Sequence, residues 1–296
     1  MALKIIRKSL EPDNAHNVGS VRTFLEYLEK LQDDAEHVYF FRGHDDFTYK
    51  ALPSIYRNQG WIKNEDILFK ELILRCPNDF PGQQPTFQTL VKMQHYSLPT
   101  RLLDITANPL IALYFACQSN SFANSGEVII YRVPKREIKY YDSDTVSVIS
   151  NISRRPAGFS MPGEDDVEKF NNDDQIKLLL HEIRSEKPYF EAKILSSHLE
   201  SVICVKPKMD NARIIRQDGA FFLFGISLTK LNPAKLPEKY TPPGNLPRLI
   251  VKADEKKKIL KQLLSLGITQ GTIYPEIQQV AEFIKTLYFD NGSEEA

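Results

Sequence analysis

The sequence predicts an α+β protein built as a single domain, with a mixed, mostly antiparallel core sheet flanked by helices. Three observations carry that expectation. The chain has 296 residues and 42% hydrophobic content, enough for one substantial core. Short apolar runs rich in aromatic and β-branched residues are interspersed with segments of helical period. The two kinds of segment do not alternate in a regular βαβ rhythm, so a doubly wound parallel sheet is not expected. No internal repeat is visible, and the only biased block is the acidic tail Gly292-Ser293-Glu294-Glu295-Ala296.

In chain order, residues 1–19 read as an N-terminal arm. Ser20 suits a helix cap, followed by Val21, Phe24, Leu25 and Leu28 at i, i+3, i+4, i+7 spacing. His37-Val38-Tyr39-Phe40-Phe41 reads as a buried strand running into Arg42-Gly43. Asn64 can cap a helix carrying Ile67, Leu68 and Leu72, and Phe87, Leu90, Val91 and Gln94 mark another. Asn108-Pro109 is a sharper helix start. Asn accepts an orphan backbone N–H at the cap, and Pro at the first helical position has no donor to waste. The helix that follows, Leu110-Ile111-Ala112-Leu113-Tyr114-Phe115-Ala116, is almost wholly apolar and should be buried. Gly126 opens a strand that Pro134 ends. Residues 142–174 are polar and rich in Ser, Arg, Pro and Gly, which predicts a long loop or lid. Strand-like runs resume at Val202–Val205, Ala220–Phe224 and Leu249–Val251. Asp254 can cap a basic helix with Ile259, Leu260, Leu263 and Leu264 inward, closed by Gly267. A last helix from about Pro275 should turn Ile277, Val280, Ala281 and Ile284 inward, leaving a flexible tail at 290–296.

Composition excludes several classes of function. The formal net charge is +0, which argues against a protein whose main task is coating a phosphate backbone. The basic runs Lys256-Lys257-Lys258 and Arg154-Arg155 read as a solvated helix face and a loop. The three cysteines, Cys76, Cys117 and Cys204, lie far apart and read as thiols in a reducing compartment. The N-terminal residues lack the apolar stretch of a secretory signal, and no run is long enough for a membrane helix, so a cytoplasmic chain with no membrane partner is expected. The six histidines show no metal-ligand spacing, so no metal is expected. Phosphate-binding loops, dinucleotide fingerprints and nucleophile elbows are absent. Ser97, His95 and Asp104 can be written as a triad, but nothing supplies an oxyanion hole.

Three motifs place polar residues where a core pattern does not ask for them. Arg42 ends a buried apolar strand, which costs free energy unless it is paired or serves a ligand, and its planar fork suits a diphosphate or a carboxylate. Gly43 beside it allows a turn or a close approach. The run from Gln94 to Pro109 threads Gln94, His95, Thr100, Arg101, Asp104, Thr106 and Asn108 between apolar residues. It reads as a ligand-binding segment or as a self-satisfied loop in which Arg101 pairs with Asp104. The third motif, Arg213 to Gly219, sets two arginines, Gln217 and Asp218 ahead of the aromatic run Phe221, Phe222 and Phe224, which reads as core.

Together these stretches resemble the FRG domain family. The matching pieces are Tyr39-Phe40-Phe41-Arg42-Gly43, Leu52-Pro53-Ser54-Ile55-Tyr56-Arg57, the run Gln94 to Asp104 continued by Asn108-Pro109 and Ala112–Ala116, then Arg213, Gln217, Gly219 and Phe221, and finally Gly267-Ile268 with Ile273-Tyr274-Pro275. The resemblance implies a domain over residues 20–289. Ser97 stands where the family often has Gly. The order of elements also looks like the ADP-ribosyltransferase fold, which implies NAD as substrate and nucleotide as ligand. It implies ADP-ribosyl transfer to a protein or nucleic-acid acceptor, or NAD glycohydrolysis, in bacterial stress or phage defence. Under that resemblance Arg42 and Gly43 hold the diphosphate, and Thr100 and Arg101 contact ribose or phosphate. Gln94 or His95 lines the nicotinamide end. A strand from Arg213 to Phe221 presents Gln217 where the fold uses Glu, which leaves Asp104 or Asp218 to supply a carboxylate. The alternative is a non-catalytic sensor that binds a ligand or partner.

Overall fold

The computed structural model describes residues 15–31, 35–82, 84–118, 122–164, 166–241 and 248–287. The apolar runs form the strands β1 (Ala15–Asn17), β2 (His37–His44), β3 (Leu102–Thr106), β4 (Gly126–Pro134), β5 (Lys139–Tyr140), β6 (Val202–Lys206), β7 (Gly219–Phe224), β8 (Ile226–Ser227), β9 (Thr229–Pro233) and β10 (Arg248–Val251). Eight of them make one sheet in the order β1-β10-β4-β2-β3-β7-β6-β5, while β8 and β9 pair separately. Only the β1–β10 and β5–β6 pairs are parallel, so the sheet is mixed and mostly antiparallel, as the sequence predicts.

Alternation along the central strands divides the core. Phe40, Leu103, Ile105, Phe222 and Phe224 point to one face, where they pack with Ile55, Tyr56 and Tyr240. On the other face the helices form two clusters. Phe41 belongs to the one built around Pro109–Cys117 and Lys256–Ser265. Leu102, Phe221 and Leu223 belong to the one built around Thr86–His95, Asp144–Asn151 and Asp174–Glu186. The seam between these clusters falls between β2 and β3. Their ladder consists of the single pair Phe41↔Thr106, whereas β2 pairs with β4 along its whole length. The sheet is therefore weakly joined at its centre, next to Arg42.

Local signals place the helix behind this seam. The Asn108 side chain accepts from Leu110 N at 3.0 Å, and Pro109 is the first helical residue. The helix presses so closely on β2 and β4 that a Cβ on Gly43 would lie 2.0 Å from the Ala112 carbonyl oxygen, and one on Gly126 would lie 1.9 Å from that of Ala116. The close approach that Gly43 permits is thus made by this helix.

Outside the groove, the structure departs from the sequence reading in several places. Residues 142–174 are mostly helical, with helices at Asp144–Asn151 and Val167–Asn172 and a 3₁₀ turn at Ile152–Arg154. Val146, Ile149 and Ile152 recur every three residues and are buried with Val148 and Phe170, a period that the surrounding Ser, Asp and Asn obscure. The last helix, Ile277–Leu287, leaves Ile277 88% exposed and Ile284 49% exposed. It rests on the short helix Gln270–Ile273 with Phe283 against Gly271, so a different face is inward. The basic helix Lys256–Ser265 is preceded by Glu255 at its cap position, not Asp254. Its Lys256 is buried and donates to the Asp45 carbonyl at 2.6 Å, and Arg154 and Arg155 both face Glu182, so the basic runs are partly spent inside the fold. The N-terminal residues 1–14 and the tail 288–296 lie outside the described residues.

Candidate functional site

Asp104 sits in the middle of β3 with its side chain 57% exposed, and three adjoining recesses border it. The first, of about 160 Å³, is lined by Phe41, Arg42, Gly43, Phe115, Arg213 and Gln217. The second, of about 80 Å³, extends it past Gln94, His95, Arg213 and Gln217. The third, of about 220 Å³, opens toward Ser54, Arg57, Gln94 and Ser97, with Arg42 again in its wall. A larger hollow of about 610 Å³ lies elsewhere, between Asp144–Val148 and Lys187–Lys193, and none of the residues predicted as a site lines it. Convergence of the predicted residues, not size, makes the Asp104 groove the candidate site.

Arg42 is held where β2 and β3 part. Its Nη1 donates to the Asp104 carbonyl at 2.6 Å, and its Nε donates to His44 Nε2 at 2.9 Å. The Asp104 carboxylate stands 4.0 Å from Nη1, so the pairing is loose. That carboxylate is fixed from the other side. Thr100 Oγ1 donates to Gln94 Oε1 at 2.7 Å, which leaves the Gln94 amide nitrogen to donate to Asp104 Oδ2 at 2.8 Å. Thr100 itself is 1% exposed and reaches no recess, so its role is to orient Gln94.

Arg101, expected to contact a nucleotide, is fully buried and turned away from the groove. Its fork makes two bonds to Glu65, Nε to Oε1 at 2.9 Å and Nη2 to Oε2 at 2.5 Å, and its Nη1 caps the Phe224 carbonyl at 2.9 Å. Lys230 completes the cluster, 3.2 Å from Glu65 Oε2. Burial alone would raise the Glu65 carboxyl, but Arg101 and Lys230 hold it below its ordinary value of 4.5. Arg101 is therefore part of a satisfied structural cluster and pairs with Glu65, not with Asp104.

The segment from Arg213 to Phe221 is not one strand. Asn211 caps a helix, Ala212–Gln217, and Asp218 adopts a left-handed φ of 46° before β7 starts at Gly219. Gln217 consequently enters the groove from a helix C-terminus. Its Nε2 donates to the Ile273 carbonyl at 3.3 Å, and its own carbonyl accepts from Thr106 Oγ1 at 2.6 Å. Asp218 faces solvent.

Sequence reasoning gave no role to the segment that roofs this end of the groove. The Arg213 guanidinium lies 4.7 Å from the Tyr274 ring centroid, and Tyr274 meets Phe115 edge-on at 6.2 Å. Glu276 Oε1 stands 3.5 Å from His95 Nε2. Burial lowers the His95 pKa from its ordinary 6.5, and Arg213 and Lys92 lower it further against the pull of Glu276, which favours the neutral ring. Tyr274 and Glu276 belong to the Ile273-Tyr274-Pro275-Glu276 run, to which the sequence assigned no site role, and only the fold brings them to Arg213, Phe115 and His95. The sequence did mark Ser97 locally. It has φ 64°, the left-handed backbone that Gly adopts freely, which explains why Gly suits this position.

Among the described residues, no group of His, Cys, Asp or Glu could hold a metal ion, and no helix is long and apolar enough to cross a membrane. The groove thus defines a class first: an α+β domain with a polar cleft at the central seam of its sheet, built from Phe41-Arg42-Gly43 and the run Gln94 to Pro109. Residues 37–125, which hold both motifs, match the model of the FRG domain family. The family resemblance is thereby shown for this stretch, which is well under half of the chain. No curated protein and no solved structure matches the chain.

Proposed function

We propose that the Asp104 groove binds a nucleotide of the NAD type, with Arg42 on its diphosphate and Gln217 on a ribose hydroxyl. The observation that carries this reading is that Arg42, Asp104 and Gln217, from three separate motifs, line one recess. Arg42 keeps Nη2 without a bond among the described residues, and Gln217 Oε1 remains to accept a hydroxyl. His95 and Gln94 line the second recess, where a nicotinamide would lie. ADP-ribosyl transfer or NAD glycohydrolysis needs a negative charge at the reacting ribose, which a neutral glutamine does not supply. Asp104 is the exposed carboxylate in the groove and takes that role. The setting, bacterial stress or phage defence, rests on the family resemblance.

A second reading is favoured by one observation. Gln217 brings a neutral amide to the groove, and its amide nitrogen is already bonded to Ile273. Under that reading the groove is a sensor that binds without turnover. Calorimetric titration of NAD into wild type and Arg42→Ala, with an NAD-consumption assay on wild type and Asp104→Asn, separates the cases. Binding with Asp104-dependent consumption supports the enzyme, and binding without consumption supports the sensor. Absence of wild-type binding at millimolar NAD removes both.

A further inference from the structure

We propose that Arg57 is the second arm of a phosphoryl-binding site, facing Arg42 across the recess beside Asp104, and that the ligand group it takes is a diphosphate. The inference rests on the nucleotide reading for the class of molecule that carries the diphosphate, and on the local geometry for the site itself.

Arg57 ends the 3₁₀ turn Ser54–Arg57, which is anchored from inside. Ile55 and Tyr56 are buried, Ile55 N donates to the Thr100 carbonyl at 3.2 Å, and Tyr56 Oη donates to the Gly225 carbonyl at 3.3 Å. With those two side chains fixed in the core, Arg57 lines the 220 Å³ recess together with Arg42, Ser54, Gln94, Ser97 and Asp104. It is half-buried, yet its one hydrogen bond among the described residues is a long contact of 3.4 Å to the Leu52 carbonyl. No carboxylate of a described residue lies within 4.0 Å of it, unlike the fully paired Arg101. Burial and the neighbouring Arg42 charge both weaken its hold on its proton, while Asp104, Tyr49 and Asp45 compensate only in part. Two guanidinium groups thus face one another in a partly desolvated recess, an arrangement that a bound anion would relieve.

The donor set selects the anion. Arg57 offers most of its fork and Arg42 its Nη2. Ser54 Oγ accepts from Thr100 N at 3.2 Å, so its hydrogen is free to donate, and Ser97 is exposed at the rim. The one carboxylate in the wall, Asp104, is tied to the Gln94 amide at 2.8 Å. Two forks approaching from separate elements need more acceptor oxygens than a carboxylate has, and a diphosphate supplies them. Arg101, expected from the resemblance to contact ribose or phosphate, is buried elsewhere and leaves this position to Arg57.

The test titrates inorganic pyrophosphate into wild type, Arg57→Met and Arg57→Lys, and follows thermal unfolding of all three. Saturable binding by wild type is expected, weakened about tenfold or more in Arg57→Met. Arg57→Lys, which keeps the charge and loses the fork, should fall between. Because Arg57 has no ion-pair partner, Arg57→Met should melt no lower than wild type, whereas a structural arginine would lower the melting temperature. Absence of pyrophosphate binding by wild type, equal binding by Arg57→Met, or loss of the fold in Arg57→Met each overturns the proposal. Failure here is distinguishable from failure of the nucleotide reading. NAD binding that Arg57→Met leaves unchanged sinks this proposal alone. Arg57-dependent pyrophosphate binding without any NAD binding keeps this site and sinks the NAD assignment.

Discussion

Arg42 and Arg101 both lie in the polar motifs, and both are arginines at the edge of an apolar strand, yet the molecule uses them in opposite ways. Arg101 is enclosed with Glu65 and Lys230, every charge bonded and no water in reach. Arg42, Arg57 and Arg213 stand around Asp104 in a groove, held by backbone carbonyls, a histidine or an aromatic ring, with bonding capacity left over. The contrast teaches that a buried ion cluster spends its charges on itself, while a binding groove is recognised by charges whose partners are incomplete.

The comparison breaks most severely if the core cluster proves dispensable. Glu65→Gln leaves Arg101 and Lys230 buried against a neutral amide and should cost about 3–5 kcal/mol of unfolding free energy in urea titrations. A cost under about 1 kcal/mol would mean that the two regions do not differ in kind. Arg42→Ala should do the reverse. It should remove about 1.5–3 kcal/mol of nucleotide affinity by losing charge-assisted bonds, while stability in the same titrations changes less than in Glu65→Gln.

Acid should separate the regions in sequence. The folded His95 holds its proton more weakly than its ordinary value of 6.5, so as pH falls through that value the unfolded chain binds the proton first and stability declines. The Glu65 carboxyl is held below 4.5, so its contribution is present above that pH and is lost as pH falls below it. A stability profile from pH 8 to 3 should therefore show two declines, and His95→Gln should shrink the upper one, to which the likewise half-buried His198 also contributes, while leaving the lower one in place. The smallest effect expected is at the rim. Ser97→Gly relieves a left-handed backbone and should gain up to about 1 kcal/mol in thermal unfolding.

Legibility differs in the same way between the two regions. The strands at Phe40-Phe41, Gly126 to Pro134 and Ala220 to Phe224, the cap at Ser20 and the start at Asn108-Pro109 could all be read, because alternation and cap chemistry act within a few residues. The helix at Asp144–Asn151 was hidden by its serines, and the inward face of Ile277–Leu287 could not be chosen without knowing what it rests on. Of the proposed site residues, Arg42, Gly43, Gln94, His95, Asp104 and Gln217 line the groove, while Thr100 stands behind it and Arg101 leaves it.

By itself the sequence determined the class of fold, the order of its main elements and the family of its central motifs, since each rests on local pattern. Only the tertiary structure decided which arginines are free. Pairing depends on which carboxylate the sheet order carries alongside, and Glu65 and Asp104 give no local sign of which guanidinium each will meet. The same holds for Tyr274 and Glu276, whose partners Arg213, Phe115 and His95 lie far from them in the sequence.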